Sequence, residues 1–461
     1  MNLWARKSCE AIFKKGDEMQ NAINKFFSSN KKVMTVLIFF LFVPLFFHGP
    51  RFGLPYVKGG DEPHYLAMIN SFLIDGDLDL RNNYDSARKG SWQIGKKYAG
   101  AAVDPHIVWN VGGKPVIWTQ VYEEPDKWKK GSDGFYIPER KPEATVDISG
   151  LPEYSSHPAG IAFLLAPFLW LIKGTRFTEP LALLCSNLAV IFSAFLFRKI
   201  LKLFTQDSLA INIATFLTFL GTPIWAYGRT LFMEPYLLFF AVSSFYFVLR
   251  KKSGFWAGIT LGLGALLKPN FLILFFPIAF FYLKDKNLKT IFWMMVGPIF
   301  SIAAILYTNE RWYGSPFTPA QPFRFGNIFQ GISGLLLSWN HGIITFAPIV
   351  LLALLFWVKF FHENKNEASL VAGGFGVYFL MMSLFECWWG GWCYGPRLIL
   401  PVIPLLMIPI LYLPKAYSSW GKFLQWSTIV LSLLSLGFNL LGAFDGYWDS
   451  HPLTILCGNV S

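Results

Sequence analysis

Long apolar segments, separated by short basic connections, recur from residue 33 almost to the end of the chain. Apolar residues make up 54% of the 461 positions and charged residues only 15%, and the mean hydropathy is +0.41, well above that of water-soluble chains. Because lipid offers the backbone no hydrogen-bonding partner, such segments must satisfy their own backbone groups as helices. The sequence therefore predicts an all-α polytopic membrane protein.

The formal net charge of +12 comes mostly from Lys and Arg residues in the short connections between apolar segments. Positive residues gather on the cytoplasmic side of membrane proteins, so this excess indicates orientation in the membrane and not binding to nucleic acid. The clusters that we assign to the cytoplasm are Arg198, Lys199 and Lys202; Arg250, Lys251 and Lys252; Lys284, Lys286 and Lys289; Lys359 and Lys365; and Lys415 and Lys422.

Placing all of these clusters in the cytoplasm requires one apolar segment between His157 and Arg198 not to cross the membrane. Residues 158–172 are short for a hydrocarbon core of about 30 Å and contain Pro167, so they predict a juxtamembrane helix on the outer side. With an uncleaved anchor at 33–48, about eleven transmembrane helices result. The other ten are predicted at 180–197, 209–227, 231–249, 254–267, 269–283, 290–307, 342–358, 369–385, 398–413 and 421–441.

This arrangement places the N-terminus in the cytoplasm and the C-terminus outside. Residues 1–32 are basic and sparsely apolar, which predicts a cytoplasmic amphipathic segment on the anionic inner leaflet. Residues 33–461 form one transmembrane domain, including a long extracytoplasmic loop at 49–157. The two arms around Lys268 are short, so a re-entrant hairpin at 254–283 stays an alternative to two full crossings.

The stretch Gly60 to Leu66, which reads GDEPHYL, follows the first predicted span. Pro63 suits the first turn of a helix and Asp61 suits the N-cap, so one interpretation is a capped helix start. The other interpretation is chemical, because the two carboxylates of Asp61 and Glu62 would lie just outside the membrane. There they could meet the head group of a lipid-linked substrate.

The predicted topology gathers further polar and aromatic residues on the outer side with these two acids. Each alone could be a side chain that reaches for lipid head groups or part of an interfacial aromatic belt. Several ionisable groups on one face favour instead a shared aqueous cavity for a charged ligand. The residues are His157, Arg229, Glu234, Lys268, Arg311, Tyr313, Glu386, Trp392, Tyr394 and Arg397.

The order of these features resembles the GT-C glycosyltransferases, a superfamily that includes protein O-mannosyltransferases and the lipid A aminoarabinose transferase. The resemblance covers nearly the whole chain, although His157-Pro158-Ala159 departs from the usual basic or His residue followed by two prolines. The motifs that carry it are GDEPHYL, SSHPAG at Ser155 to Gly160, GRTLFMEP at Gly228 to Pro235, GLGALLKP at Gly262 to Pro269, RWYGSPF at Arg311 to Phe317, and WWGGWCYGPR ending at Arg397.

The resemblance implies a GT-C-like fold and an inverting transfer of a sugar from a polyprenyl-phosphate donor to a glycan, lipid or protein acceptor at the outer face. It implies Asp61 as the catalytic base, with Glu62 supporting it or binding the sugar. The residues expected to bind the donor phosphate are Arg397, Lys268, Arg229 and His157. Those expected to bind substrate are Glu234, Arg311, Tyr313, Glu386, Trp392 and Tyr394, of which Trp392 and Tyr394 could offer flat faces to a sugar.

No cofactor follows from the sequence. The five cysteines lack metal-ligand spacing, and no complete ligand set for a metal is evident, although a divalent cation near Asp61 and Glu62 stays an open alternative. Cys387 and Cys393 could pair only if both face an oxidising side.

Two other classes of protein stay open at this stage. A lipid or glycan transporter or flippase would also have many spans, but it should show paired repeats and charges near the bilayer midplane, whereas here the charges cluster outside. A membrane protein that only binds lipid or glycan would have no use for a base at Asp61. The resemblance implies location in a bacterial plasma membrane, with membrane lipids as its surroundings.

Overall fold

The structure is a computed structural model that describes residues 24–48, 51–52, 60–88, 106–123, 129–130, 136–137, 139–319, 322–445, 451–452 and 454. Most of the amphipathic segment predicted at 1–32 lies outside these residues. Residues 24–27 are helical, and the next helix begins at Asn30, where the Ser29 side chain accepts a hydrogen bond from the Lys32 backbone N–H and caps the helix. The anchor predicted at 33–48 therefore starts three residues earlier than expected.

All eleven segments predicted to span the membrane are mainly helical, although those at 209–227 and 342–358 are broken by short non-helical turns and the first ends in a two-residue strand. The α-helices are α1 (Asn30–Phe42), α2 (Glu62–Asn70), α3 (Arg81–Arg88), α4 (Trp118–Val121), α5 (Gly160–Leu169), α6 (Thr178–Leu201), α7 (Ser208–Leu220), α8 (Ile224–Tyr227), α9 (Glu234–Leu249), α10 (Gly254–Leu267), α11 (Phe275–Lys284), α12 (Leu288–Met294), α13 (Val296–Tyr313), α14 (Ile328–Leu337), α15 (Ile343–Phe346), α16 (Val350–Leu355), α17 (Trp357–Glu363), α18 (Lys365–Ser383), α19 (Ile403–Met407), α20 (Leu413–Ser419) and α21 (Lys422–Asp445). Shorter turns extend several of them, namely the 3-10 helices Val43–Phe46, Trp170–Ile172, Pro269–Leu274, Arg397–Val402 and Ile408–Tyr412 and the π-helix Ser71–Asp75.

Among the described residues, four continuous helical segments are long and apolar enough to cross a membrane. They are Thr178–Leu201, Leu288–Tyr313, Arg397–Ser419 and Lys422–Phe444. Further apolar helices are shorter. The 14 residues of α10, for example, reach about 21 Å, less than the ~30 Å core of a bilayer. The chain is thus an integral membrane protein of helical type, while the number of complete crossings stays a prediction.

The segment at 158–172 forms α5 followed by one 3-10 turn, and Pro167 lies inside the helix without ending it. Helix α5 packs against α2, so the short helix near the start of the first loop lies beside the helix that follows the loop. Phe168 and Leu171 are 64% and 93% exposed. Such apolar side chains at the end of a helix suit contact with lipid.

The strands of the described residues lie at the end of the first predicted span and in the first loop. These are β1 (Phe47–His48), β2 (Arg51–Phe52), β3 (Ile107–Val111), β4 (Lys114–Ile117), β5 (Lys129–Lys130), β6 (Tyr136–Ile137) and β7 (Tyr154–Ser155). Strand β3 lies between β4 and β7 and pairs antiparallel with both, with Ile107 opposite Ser155. This pairing brings the end of the first loop, next to His157, back beside its middle.

Helices α10 and α13 approach each other unusually closely, through glycines on both. A Cβ atom at Gly297 would collide with the Gly258 carbonyl, and one at Gly258 would collide with the carbonyl of Met294, the last residue of α12 just before α13. Gly262 faces Gly297 in the same way. Helix α10 also packs against α9, so this glycine contact fixes the position of the two helices that carry Glu234 and Lys268.

Candidate active site

The GDEPHYL segment forms the start of α2, with Asp61 at the N-cap position and Pro63 in the first turn. The Asp61 side chain nevertheless makes no capping hydrogen bond. Tyr65, one turn later on the same face, donates its hydroxyl to Asp61 Oδ2 at 3.3 Å. Every residue from Glu62 to Asn70 is buried, so α2 is an interior helix.

Arg397 meets Asp61 from a distant part of the chain. It begins the 3-10 helix Arg397–Val402, just after Gly395, whose φ of +58° lies in the left-handed region. Its Nη2 lies 3.0 Å from Asp61 Oδ2, and its Nε lies 3.3 Å from Glu234 Oε1. The guanidinium also sits over the Phe232 ring, 4.7 Å from the centroid. One guanidinium therefore joins two carboxylates contributed by different helices.

Glu234 and Lys268 extend this cluster. Glu234 is the first residue of α9 and is only 1% exposed, and Lys268 follows the last residue of α10. Lys268 Nζ lies 2.6 Å from Glu234 Oε1. Four charges thus alternate in the order Asp61, Arg397, Glu234 and Lys268, and together they are neutral. Burying four charges costs free energy of desolvation unless the charges are paired. Such a buried network therefore indicates a role other than stabilising the fold.

The second oxygen of Glu234, Oε2, is buried and accepts no hydrogen bond from the residues described. An unsatisfied buried carboxylate oxygen costs about 1–3 kcal/mol or more. A hydroxyl group of a bound molecule would satisfy it. Glu234 thus holds the two cations through Oε1 and leaves Oε2 without a partner among the described residues, while its role in substrate binding stays a prediction.

Three histidine rings line the other side of Asp61. The rings of His106 and His157 stack, with centroids 4.8 Å apart and planes at 27°, and the His64 ring lies 4.5 Å from that of His106. His157 Nε2 lies 3.8 Å from Asp61 Oδ1. The ring nitrogens of His106 and His157 and the carboxylate of Asp61 all lie within 4.8 Å of one another, which is a grouping that could hold a metal ion.

Burial and the neighbouring charges determine the protonation of these groups. Burial acts to raise the pKa of Asp61, but Arg397 and the neighbouring histidines act the other way, so the carboxyl pKa stays well below its usual range. Burial lowers the pKa of His157 to about 3, against the opposite effect of Asp61. Burial likewise lowers the pKa of His106. At neutral pH the site therefore presents an ionised carboxylate beside two neutral imidazoles.

Of the residues expected at this site, Asp61, His157, Glu234, Lys268 and Arg397 lie together. Glu62 is buried and accepts a 2.6 Å hydrogen bond from the backbone N–H of Leu231, which holds the segment before α9 against α2. A direct catalytic role for Glu62 stays a prediction.

Arg229 and Tyr313 hold backbone segments together. Arg229 Nη1 donates to the carbonyls of Phe47 and Phe444, which links the end of the first span to α21. The Tyr313 hydroxyl donates to the Ser155 carbonyl at 2.7 Å and fixes the end of the first loop to α13. Their roles in phosphate or substrate binding stay predictions.

Of the remaining expected residues, Glu386, Trp392 and Tyr394 lie in the segment that leads to Arg397, and Arg311 lies in the last turn of α13. Tyr394 is buried and donates to the Phe438 carbonyl, so protein covers its ring. Trp392 is 52% exposed and can offer its face to a ligand. Glu386 and Arg311 are exposed, and Glu386 lies 4.0 Å from Arg324. Their binding roles stay predictions, and Cys387 and Cys393 carry free thiols.

Two residues of the site were not expected from the sequence. Tyr65 stands four residues after Asp61, a spacing that places both on one helix face and that could have indicated the contact. His106 lies in the middle of the first loop, and its carbonyl accepts a hydrogen bond from Ser156 N–H. Only the pairing of β3 with β7 brings it to the site, and no local pattern reports that pairing.

Comparisons with known proteins show the fold. No family model matches the chain, and no curated protein sequence does. Among solved structures, ArnT from Cupriavidus metallidurans in the apo state matches 86% of this chain and 61% of its own with a TM-score of 0.51 and 13% identity. The same protein bound to undecaprenyl phosphate matches 86% of this chain and 62% of its own, with a TM-score of 0.47 and 14% identity.

The chain thus spans about three fifths of the length of these ArnT chains. At 13% identity the likeness to the apo structure concerns the fold alone. It confirms the all-helical, polytopic architecture predicted from the sequence, which is similar to that of ArnT.

Proposed function

We propose that this protein is a membrane glycosyltransferase that moves a sugar from a polyprenyl-phosphate donor to an acceptor at the extracytoplasmic face. The observation that carries the proposal is the cluster in which Arg397 joins the carboxylates of Asp61 and Glu234 while Lys268 holds Glu234. It combines an ionised base with two cations in one buried site. The ArnT-like architecture supports the proposal at the level of the fold.

The proposed reaction is a direct displacement with inversion. The acceptor hydroxyl oxygen attacks the anomeric carbon, the bond from that carbon to the phosphate oxygen breaks, and the polyprenyl phosphate leaves with the electron pair. The hydroxyl proton passes to the carboxylate of Asp61 late in the step. Since Arg397 keeps that carboxylate ionised, it is available as a base at neutral pH.

Negative charge grows on the phosphate as the sugar leaves, from one charge in the diester to nearly two in the product. A guanidinium has five N–H donors and an ammonium has three, so Arg397 and Lys268 can hold their carboxylates and also contact phosphate oxygens. Removing one such stabilising contact raises a reaction barrier by about 2.7–4 kcal/mol in comparable oxyanion sites. Glu234 Oε2 would accept a hydrogen bond from a sugar or acceptor hydroxyl.

The replacement Asp61→Asn tests the proposal, because it removes the base and keeps the shape of the side chain. We expect purified protein to transfer radiolabelled sugar from a panel of polyprenyl-phosphate donors to envelope acceptors, and the variant to be slower by about 10²–10⁴-fold. Glu143→Gln, at an exposed acid of the first loop, is the matched control and should transfer normally.

Transfer by the Asp61→Asn variant at the parental rate would remove Asp61 as the base. Movement of intact donor across vesicles without any transfer would favour a transporter or flippase instead. Identification of lipid-linked sugar that co-purifies with the parent, by mass spectrometry, would name the donor.

A further inference from the structure

We infer that Asp61, His106 and His157 form a binding site for a divalent transition-metal ion of the Zn²⁺ type. Ion binding is a property of this chain whether or not it transfers sugar, and only its effect on activity rests on the proposed function. Three of the chain's seven histidines lie together beside this carboxylate, namely His64, His106 and His157. Such a concentration of imidazoles beside an acid is the usual composition of a metal site.

The distances between the ligand atoms suit an ion. His157 Nε2 and Asp61 Oδ1 are 3.8 Å apart, so an ion between them would lie about 2 Å from each, the usual length of a zinc bond to nitrogen or carboxylate oxygen. The third ligand, a ring nitrogen of His106, lies within 4.8 Å of both. A small rotation of this ring would complete a three-ligand set.

The state of the His157 ring is an independent indication. His157 is 5% exposed, and its Nε2 makes no hydrogen bond with any residue that the structure describes. The separation of 3.8 Å from Asp61 Oδ1 is too long for a hydrogen bond. Stacking on the His106 ring explains how the His157 ring is packed, but the Nε2 atom of His157 has no hydrogen-bond partner among the described residues. A metal ion would supply that partner.

The charges around Asp61 allow a cation on this side. Arg397 lies against Oδ2, whereas the histidines lie towards Oδ1, so the two oxygens of one carboxylate would separate the guanidinium from the ion. Two nitrogen ligands argue against Mg²⁺ and Ca²⁺, which prefer oxygen alone, and favour Zn²⁺ or a similar ion. Three protein ligands leave a position open for an oxygen of substrate, as in catalytic zinc sites.

Direct ion binding tests this inference without any sugar donor. The full chain, purified in detergent and treated with a chelator, is titrated with Zn²⁺ by calorimetry and its metal content is measured by mass spectrometry. We expect one ion per chain, and affinity at least tenfold weaker in His106→Gln and in His157→Gln. Co²⁺ should give the visible spectrum of a nitrogen and oxygen site, and each substitution should abolish that spectrum.

His362→Gln removes an exposed histidine of α17, outside the cluster, and should bind Zn²⁺ as the parent does. Elution of each variant at the parental volume in size-exclusion chromatography shows that it is folded, and His106→Gln provides a second test should His157→Gln fail to fold. Absence of stoichiometric binding in the parent would overturn the inference. Equal binding in the parent and the cluster variants would also overturn it, because the ion would then be bound elsewhere.

The metal site and the proposed transferase activity can be refuted independently of each other. Sugar transfer that survives chelation, in a chain that binds no Zn²⁺, would refute the metal site and leave the transferase. Stoichiometric Zn²⁺ binding that the cluster substitutions weaken, in a chain without transfer, would keep the metal site and refute the proposed function.

Discussion

Arg397 connects the two carboxylates of the site, and its geometry explains why a guanidinium stands there. Its Nη2 faces Asp61 while its Nε faces Glu234, so a planar fork contacts two acids that come from different helices. An ammonium on a flexible stem is a single point of charge and would hold one of these acids less well. The identity of this residue, and not only its charge, should therefore determine activity.

Replacing Arg397 with Lys keeps the charge and removes the fork. We expect sugar transfer to fall by on the order of 10²–10³-fold, because neither Asp61 nor the departing phosphate keeps its aligned donor. The measurement is the rate of transfer from the polyprenyl-phosphate donor that the parent uses.

Arg324→Lys is the matched control, since Arg324 is exposed and lies 4.0 Å from Glu386 in a weak surface pair. It should change transfer by less than about twofold. Equal rates for the parent and Arg397→Lys would show that charge alone suffices at this position and would contradict the proposed role of the fork.

Residue types and their predicted side of the membrane are enough to indicate much of this cluster from the sequence. Asp61, Glu234, Lys268 and Arg397 each stand beside a proline or a helix end that the sequence displays, so their grouping followed from topology. His106 shows the limit of that reasoning. It lies in a loop without apolar periodicity, and a strand pairing distant in sequence places it at the site.

At the scale of elements, the contact between α10 and α13 controls the position of the site. Lys268 follows α10, and α10 packs directly on α9, which carries Glu234. Glycines let the backbones of α10 and α13 touch, and in lipid such close packing replaces the hydrophobic effect as the source of association. A side chain inserted there should push α10 away from α13.

Gly258→Ala tests this packing. Alanine normally stabilises a helix by about 1 kcal/mol relative to glycine, but here its methyl group would meet the Met294 carbonyl. We expect a net loss of about 1–3 kcal/mol, typical of overpacked interiors, seen as a lower midpoint of thermal unfolding in detergent.

Gly376→Ala in α18 is the matched control, because nothing lies within 4 Å of the added methyl group. It should leave the midpoint unchanged or raise it. Two variants with the same midpoint would show that the α10 and α13 backbones are not in the close contact described.

The helices were easier to predict from the sequence than the neighbouring helices that cover them. Apolar runs flanked by basic residues predicted the helical segments well, because a segment in lipid must satisfy its own backbone. Helix α2 differs from expectation in its burial. Leu66 and Ile69, with Leu73 in the turn that follows, recur at a helical spacing that predicts one buried face, but α5 packs against α2 and every residue from 62 to 70 is buried. Single-sequence periodicity cannot show a partner that covers the second face.

For the whole molecule, the proposed chemistry requires one orientation. Asp61 and Arg397 lie 3.0 Å apart, so the first loop and the segment before Arg397 must share a side of the membrane. The basic clusters predict that this side is extracytoplasmic. The connection between α11 and α12, which contains Asp285 between Lys284 and Lys286, should then lie in the cytoplasm.

Cysteine labelling in intact cells tests this orientation. Glu143 in the first loop and Asp285 are both exposed, so a cysteine at either position is accessible from its own side. In a chain without its five natural cysteines, Glu143→Cys should react with a maleimide that cannot cross membranes, and Asp285→Cys should react only after permeabilisation. Labelling of both in intact cells would place the two segments on one side, and the reverse pattern would put Asp61 and Arg397 in the cytoplasm. Labelling of both would refute the predicted cytoplasmic position of the α11–α12 connection. The reverse pattern would rule out transfer at the outer face, because the base and its cation could not meet an acceptor there.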